Sequence, residues 1–305
     1  MKVHAKHEKI QEFLKENPLD GVHIVDDPFQ AHYVITGRYK QTDYHDNLKG
    51  IIIPYTGHNG IDLKSMKDKN LMLFVTPTRS RYVAEKAVAL TLALTGRVLA
   101  YDSMLRQGNW AERNSDSRLP WTSIQDKTIG LFGFGRIGKR IYEMLQGFHC
   151  DFAVIDRGKD YPSNVMTVKN LTNLVQFSDI IIVSTPLNQE TENIIDEPIL
   201  SRMKRKYLIN VGRGKVIDEK ALYDSLKTNH LKGYASDVWY QYPKEKEACY
   251  PSLYPFHELD NVILSNHSGG YTNNTNDEVN KDILKTLEKL QKENFEDQLD
   301  LEGLL

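Results

Sequence analysis

The spacing of apolar positions changes character along the chain. From residue 128 onward, short and nearly continuous apolar runs alternate with segments of helical period. The runs at 128–132, 152–155, 180–184, 207–211, 232–236 and 262–264 predict strands buried on both faces. The intervening segments 136–146, 171–177, 198–203 and 218–228 predict helices, the third with Pro198 in its first turn. Before residue 128, 3–17 reads as a surface helix ending at Pro18. Residues 22–25, 51–53 and 71–75 read as strands and 61–67 as a short helix. Val83, Ala87, Leu90, Leu94 and Val98 mark a long helix over 83–99. Val279, Ile283, Leu287 and Leu290 form one face of an amphipathic helix over 277–292. Strands alternating with helices predict an α/β fold with doubly wound parallel sheets. A length of 305 residues favours two domains over one.

One strand-to-helix junction carries chemistry. Thr128-Ile-Gly-Leu-Phe-Gly-Phe-Gly-Arg-Ile-Gly places Gly133-x-Gly135-x-x-Gly138 at the turn. Gly133 permits a tight turn, Gly135 lets backbone approach a pyrophosphate, and Gly138 lets helix pack on strand. Arg136 and Ile137 open the helix, whose free N–H groups favour an anion. The next strand ends at Asp156, where a carboxylate accepts hydrogen bonds from ribose hydroxyls and repels a 2′-phosphate. That favours NAD over NADP, while Arg157 directly after it pulls the other way.

Composition narrows the field. The net charge of −2 offers no electrostatic attraction to nucleic acid or an anionic membrane. No apolar run reaches membrane-spanning length; the longest, 87–94, is broken by Thr91. Residues 1–14 are polar and do not read as a signal peptide. Two cysteines, Cys150 and Cys249, supply neither a disulfide framework nor a cysteine metal site, and no metal is expected. A cytoplasmic location follows as the expectation.

From about Gly57 onward the sequence resembles the D-isomer-specific 2-hydroxyacid dehydrogenases, a family with formate and phosphite dehydrogenase branches. The resemblance is carried by Val83-Ala-Glu85, Arg106-Gln-Gly-Asn-Trp110, the glycine turn, Ser184-Thr-Pro-Leu-Asn-Gln-Glu-Thr191, Ile209-Asn-Val-Gly-Arg-Gly-Lys-Val-Ile-Asp218, Asp237-Val-Trp239 and Asn261-Val-Ile-Leu-Ser-Asn-His267. It implies two Rossmann-like domains: an NAD domain over 100–275, and a substrate domain from 1–99 plus 276–305, with nicotinamide and substrate in the cleft between them. It implies a homodimer, and hydride transfer between NAD(H) and a small 2-hydroxy or 2-oxo acid. His267 would be the acid/base and Arg213 the carboxylate anchor. Thr56, Gly57 and His58 would bind the carboxylate through backbone N–H groups. Ser184, Thr185, Pro186 and Val211 would wall the cofactor, and Asp237 would lie near the nicotinamide carboxamide.

Three positions depart from the family pattern. Tyr242 stands where most members place the glutamate that pairs with the catalytic histidine; a neutral phenol can hydrogen-bond imidazole but does not stabilise its charge. Formate dehydrogenases also lack that glutamate, so a formate- or phosphite-type oxidation is an alternative. An NAD(H)-sensing protein with weak catalysis is another. Arg79 replaces a residue that is often asparagine, and reads either as a second cation facing the substrate or as a cofactor or solvent contact. Lys86 replaces a frequent histidine. The stretch 243–260 reads as a surface loop or dimer arm rather than a lid.

Overall fold

The computed structural model describes residues 1–55, 57–58, 60–110, 120–244 and 247–302. They form two compact units, Met1–Ser80 with Tyr271–Leu305, and Arg81–Gly270. The division falls at 80/81 and 270/271, where the sequence suggested 99/100 and 275/276.

The first unit is a parallel five-stranded sheet in the order β2-β1-β3-β4-β5, from β1 (Lys2–Ala5), β2 (His23–Ile24), β3 (Tyr33–Ile35), β4 (Gly50–Ile53) and β5 (Met72–Val75). Successive strand residues point to opposite faces, and the two faces are served by different helices. Val3, Tyr33, Ile35, Ile52 and Phe74 pack with Leu14 of α1 (Glu8–Glu16). Val34, Ile51, Ile53 and Leu73 pack with Met66 of α2 (Leu63–Asp68).

The second unit opens with most of α3 (Thr78–Thr95) and then α4 (Val98–Arg106). Its sheet is parallel and seven-stranded, in the order β12-β11-β10-β9-β6-β7-β8. The elements are β6 (Thr128–Phe132), α5 (Arg136–Leu145), β7 (Asp151–Ile155), β8 (Val165–Val168), α6 (Leu171–Phe177), β9 (Ile180–Val183), α7 (Glu197–Leu200), β10 (Tyr207–Asn210), α8 (Glu219–Lys227), β11 (Gly233–Ser236) and β12 (Val262–Leu264). All four residues of both β9 and β10 are buried, as parallel strands covered on both faces require. Ala84, Ala87, Leu90 and Leu94 of α3 join Ile141 and Leu145 of α5 over Ile129, Leu131, Ile180 and Ile209. Leu174 of α6 and Leu222 and Leu226 of α8 cover the opposite face. α9 (Thr275–Gln291) returns to the first unit, where Val279, Ile283, Leu287 and Leu290 complete the core around α1.

Three local expectations change. The helix expected over 3–17 begins only at Glu8, because Val3 and Ala5 alternate inward and form β1. The helix expected over 83–99 is two helices, interrupted at Gly96-Arg97, with Arg97 at φ 53°. β3 and β8 were not predicted. Within the stretch read as a surface loop or dimer arm, Glu219 accepts hydrogen bonds from the Ser252 hydroxyl at 2.6 Å and the Leu253 N–H at 3.0 Å, and Phe256 is buried in the core. Among the described residues, no helix is long and apolar enough to cross a membrane, and no group of three metal-ligating side chains comes together. Cys150 and Cys249 are free thiols.

Candidate active site

In the second unit the sequence-predicted residues gather where parallel strands end. The glycine turn joins β6 to α5. Gly133 adopts φ 110°, open to glycine and strained for other residues. A Cβ on Gly138 would overlap the carbonyl oxygen of Gly133, so the helix seats on the strand only with glycine there. Ser184, just past β9, donates its hydroxyl to the same carbonyl at 3.0 Å and braces the turn. Gly135, the residue before α5, faces open space: nothing lies within 4 Å of its would-be Cβ. Side chains of Asn170, Asp196 and Asp218 cap α6, α7 and α8, whereas α5 has no side-chain cap. Its first N–H groups are thus left for an outside anion.

Asp156 follows β7, and one carboxylate oxygen accepts the Gly158 N–H at 2.9 Å. Asp156, Arg157, Gly158 and Lys169 border an open recess beside β8. A pyrophosphate at the α5 terminus and a ribose at Asp156 therefore fit the residues present. Ile137 packs on the core below, Pro186 accepts the Thr191 hydroxyl, and Val211 is buried with its N–H on Val183 at 3.0 Å. A Cβ on Gly133 would lie 2.9 Å from the Thr185 nitrogen, so Thr185 backs the turn directly.

The neighbouring strand ends β10, β11 and β12 hold Arg213, Asp237 and His267. Asn210 fixes the Arg213 loop: its side chain accepts the Gly212 N–H and donates to the Arg213 carbonyl, each at 3.0 Å. Gly214 has to be glycine because a Cβ there would run into the Trp239 backbone. The Arg213 loop and the Asp237-Val-Trp239 segment are thereby locked together. Asp237 is buried, and its carboxylate accepts the Ser265 hydroxyl at 2.5 Å, the Ser268 N–H at 3.1 Å and the Gly269 N–H at 2.8 Å. Those three bonds brace the loop that carries His267. The Trp239 indole adds a fourth tie, donating to the Ser265 carbonyl at 2.8 Å. His267 itself sits at φ 56°, a left-handed conformation that non-glycine residues adopt at a cost.

The Tyr242 ring lies beside His267, with centroids 5.3 Å apart at 56°. Its hydroxyl accepts the Trp239 N–H at 3.1 Å, so the contact with imidazole is ring to ring. Loss of hydration against its surroundings, then the charge of Arg213, pushes the His267 pKa below its ordinary value; Asp237 opposes this only partly. Burial raises that of Tyr242, which stays a neutral phenol. Lys86 lays its aliphatic stem along Gly269.

In the first unit, Thr56 lies outside the described residues. Gly57 and His58 follow Tyr55 in the turn after β4. Gly60 backs onto the Gly37 carbonyl and leaves no room for a side chain. The guanidinium of Arg79 lies over the rings of Tyr271 at 4.7 Å and Tyr55 at 5.6 Å. Sequence reading gave no role to Asn210, Gly214, Ser265, Tyr55 or Tyr271. Asn210 and Gly214 stood inside a recognised motif; nothing local marked the tyrosines.

The uncapped helix behind a glycine turn, the acid at the next strand end and the polar residues on adjoining strand tips define a Rossmann-type dinucleotide-dependent oxidoreductase. Residues 88–269 match the D-isomer specific 2-hydroxyacid dehydrogenase, NAD binding domain, and the chain belongs to that family. A glyoxylate reductase of Thermofilum pendens is 34% identical over 236 residues, covering 75% of this chain and 68% of that protein. An acyclic imino acid reductase, solved with NADPH and D-Arg, superposes with a TM-score of 0.81 at 27% identity, covering 98% of this chain and 100% of the other. An NAD-dependent formate dehydrogenase from Staphylococcus aureus, solved with NAD, gives a TM-score of 0.73 at 26% identity, each chain covered to 96%.

Proposed function

We propose that the protein reduces and oxidises a small 2-oxo/2-hydroxy acid pair with NAD(H), with His267 as the acid/base and Arg213 as the carboxylate anchor. The observation that carries this reading is the placement of Arg213 and His267 at the ends of β10 and β12, with β11 and Asp237 between them, in the unit that holds the glycine turn. Gly133, Gly135, Arg136 and Gly138 receive the pyrophosphate, Asp156 takes the ribose hydroxyls, and Ser184, Thr185, Pro186 and Val211 complete the wall. Bound NADH supplies the hydride for C2. His267, when protonated, gives its proton to the carbonyl oxygen; neutral, it takes the hydroxyl proton in the reverse direction. Arg213 pairs with the carboxylate and polarises the carbonyl. Asp237 holds the His267 loop. The turn at Gly57 and His58 offers backbone N–H groups suited to a carboxylate.

The homodimer and the cytoplasmic location belong to the same reading. Val98, Leu99 and Leu105 of α4 are exposed, as are Trp110 and Trp121, and they suit an interface between copies. The test is NADH oxidation over a panel of 2-oxo acids, with formate and phosphite offered alongside NAD. Turnover of a 2-oxo acid, lost in His267→Gln, is expected. Turnover of formate or phosphite alone favours the oxidative alternative. Clear NAD binding with no turnover of any of them favours a sensor.

A second reading concerns the reacting group. Tyr242 gives His267 no acidic partner, so a protonated histidine is scarce at neutral pH. A protonated imine needs no proton from the protein when hydride arrives at its carbon, and the likeness to an imino acid reductase supports this variant. Adding methylamine to pyruvate and NAD(P)H separates the two: faster cofactor oxidation than with pyruvate alone indicates the imine.

A further inference from the structure

Within the Arg81–Gly270 unit, a second recess of about 700 Å³ lies at the entry ends of β10, β11 and β12. The other ends of the same strands lead to Arg213, Asp237 and His267. Four cations line the recess: Arg97 between α3 and α4, Arg205 just before β10, Lys227 in the last turn of α8 and Lys232 just before β11. Backbone contacts fix their seats. The Arg205 N–H donates to the His230 carbonyl at 2.7 Å, and the Lys232 N–H to the Lys206 carbonyl at 2.9 Å. Leu94, near the end of α3, reaches the start of β11, where a Cβ on Gly233 would lie 3.0 Å from it.

The four charges are not compensated. Among the described residues, none of them pairs with a carboxylate. Glu258 and Asp260 also border the recess, but the ion pair of Glu258 is with His257, at 3.9 Å. Lys232 donates to the Thr122 hydroxyl at 2.8 Å and lies over the Tyr207 ring. Arg97 lies 5.9 Å from the Tyr101 ring centre, and its buried Nε has no hydrogen-bond partner. The Arg205 guanidinium has no hydrogen bond, ion pair or ring contact among the described residues. A cation at a helix C-terminus complements the helix dipole, which accounts for Lys227 and for Arg97, two residues past α3. Arg205 and Lys232 precede strands and have no such reason. In a chain of net charge −2, four cations around one recess form a local excess that repels itself, and an anion relieves it.

We propose that this recess binds a small polyphosphate anion, free or as the tail of a nucleotide. The planar forks of Arg97 and Arg205 match phosphate oxygens, and Lys227 and Lys232 add point charges. A concavity of several hundred Å³ suits a small molecule. The α5 terminus lies at the opposite end of the sheet, so this site stands or falls independently of the proposed activity.

The test is calorimetric titration of the NADH-saturated protein with inorganic triphosphate, NADH keeping the α5 terminus occupied. One triphosphate per chain is expected, bound at least about tenfold more tightly than inorganic phosphate because several cations act together. Arg205 and Lys227 are exposed, so replacing them leaves the fold intact. The double variant Arg205→Gln, Lys227→Gln should weaken triphosphate at least about tenfold, with NADH affinity and melting temperature as in the wild type. Lys227→Arg should retain binding. ATP separates the two sources of the anion: affinity equal to triphosphate supports recognition of the phosphates alone, and tighter binding that the double variant loses supports a nucleotide. Absence of triphosphate binding, affinity no better than for phosphate, or affinity unchanged in the double variant overturns the proposal. A single-stranded oligonucleotide that binds more tightly than ATP overturns the assignment to a small anion.

Discussion

Two glycine-bearing turns follow parallel strands in this protein, and they require glycine for different reasons. In the turn after β6, the constraint is local. Gly138 closes on Gly133, five residues earlier, and Ser184 braces the same carbonyl. In the turn after β4, the constraint comes from elsewhere: Gly60 closes on Gly37, and Gly37 makes room for Tyr55. The first turn leaves Gly135 and the α5 terminus open to a ligand. The second is packed from behind and supports an aromatic ring. In both turns a glycine closed on backbone marks packing, and in the first the open Gly135 also leaves the backbone free for a ligand.

The comparison can be broken most severely at Gly138. Gly138→Ala should destabilise the protein by about 1–3 kcal/mol through overpacking and also abolish measurable NAD binding. Thermal melts with and without NAD check both. Gly60→Ala should cost a similar amount, about 1–3 kcal/mol, while NAD affinity by calorimetry stays as in the wild type. Loss of NAD affinity there would erase the distinction between the turns. Next comes Asp237→Asn, which removes an acceptor from the three bonds bracing the His267 loop. A fall in kcat of roughly 10- to 100-fold is expected, in line with about 1.5–3 kcal/mol for bonds to a charged group. NAD affinity should change far less, and a loss confined to NAD binding would give Asp237 a cofactor role instead.

Tyr242→Glu tests the histidine by pH. The His267 pKa is lowered in this protein, so the protonated form needed for reduction is lost as pH rises through a value below 6.5. A glutamate beside the ring favours imidazolium and raises that pKa. The descending limb of kcat/KM for reduction should therefore move to higher pH by about one unit. The limb for oxidation, which needs neutral imidazole, should move the same way. An unmoved profile would show that residue 242 does not govern the proton. Gly135→Ala is the smallest change: stability within about 0.5 kcal/mol of wild type, since its Cβ meets nothing, with weakened NAD binding as the only loss.

What the sequence made legible follows the same division. β6, β7, β9 and β10 were visible as apolar runs because a parallel sheet buries both faces of each strand. β8 was not: it is one of the sheet's two edge strands, and its two central residues, Met166 and Thr167, are exposed, whereas the edge strand β12 is wholly apolar. β1 was hidden because Val3 and Ala5 run straight into the helical period of α1. β3 has only three residues between polar neighbours. In the site, Arg213, His267 and the glycine turn sat in ordered motifs. The ring contact of Tyr242 with His267 depended on where its hydroxyl went, and the Trp239 N–H that claims it leaves no mark in sequence. The Tyr55–Arg79–Tyr271 arrangement joins three distant segments and has no local pattern at all.

The return of α9 to the first unit has a consequence for how the chain comes into being. Synthesis runs from the N-terminus, so β1 to β5 are made early while one face of their sheet lacks Val279, Ile283, Leu287 and Leu290. All of Arg81–Gly270 is translated in between. The nucleotide-binding unit, continuous in sequence, is complete before its older neighbour can close. The usual order of domain folding on the ribosome is thereby reversed, and the earliest strands carry uncovered apolar surface for the longest time.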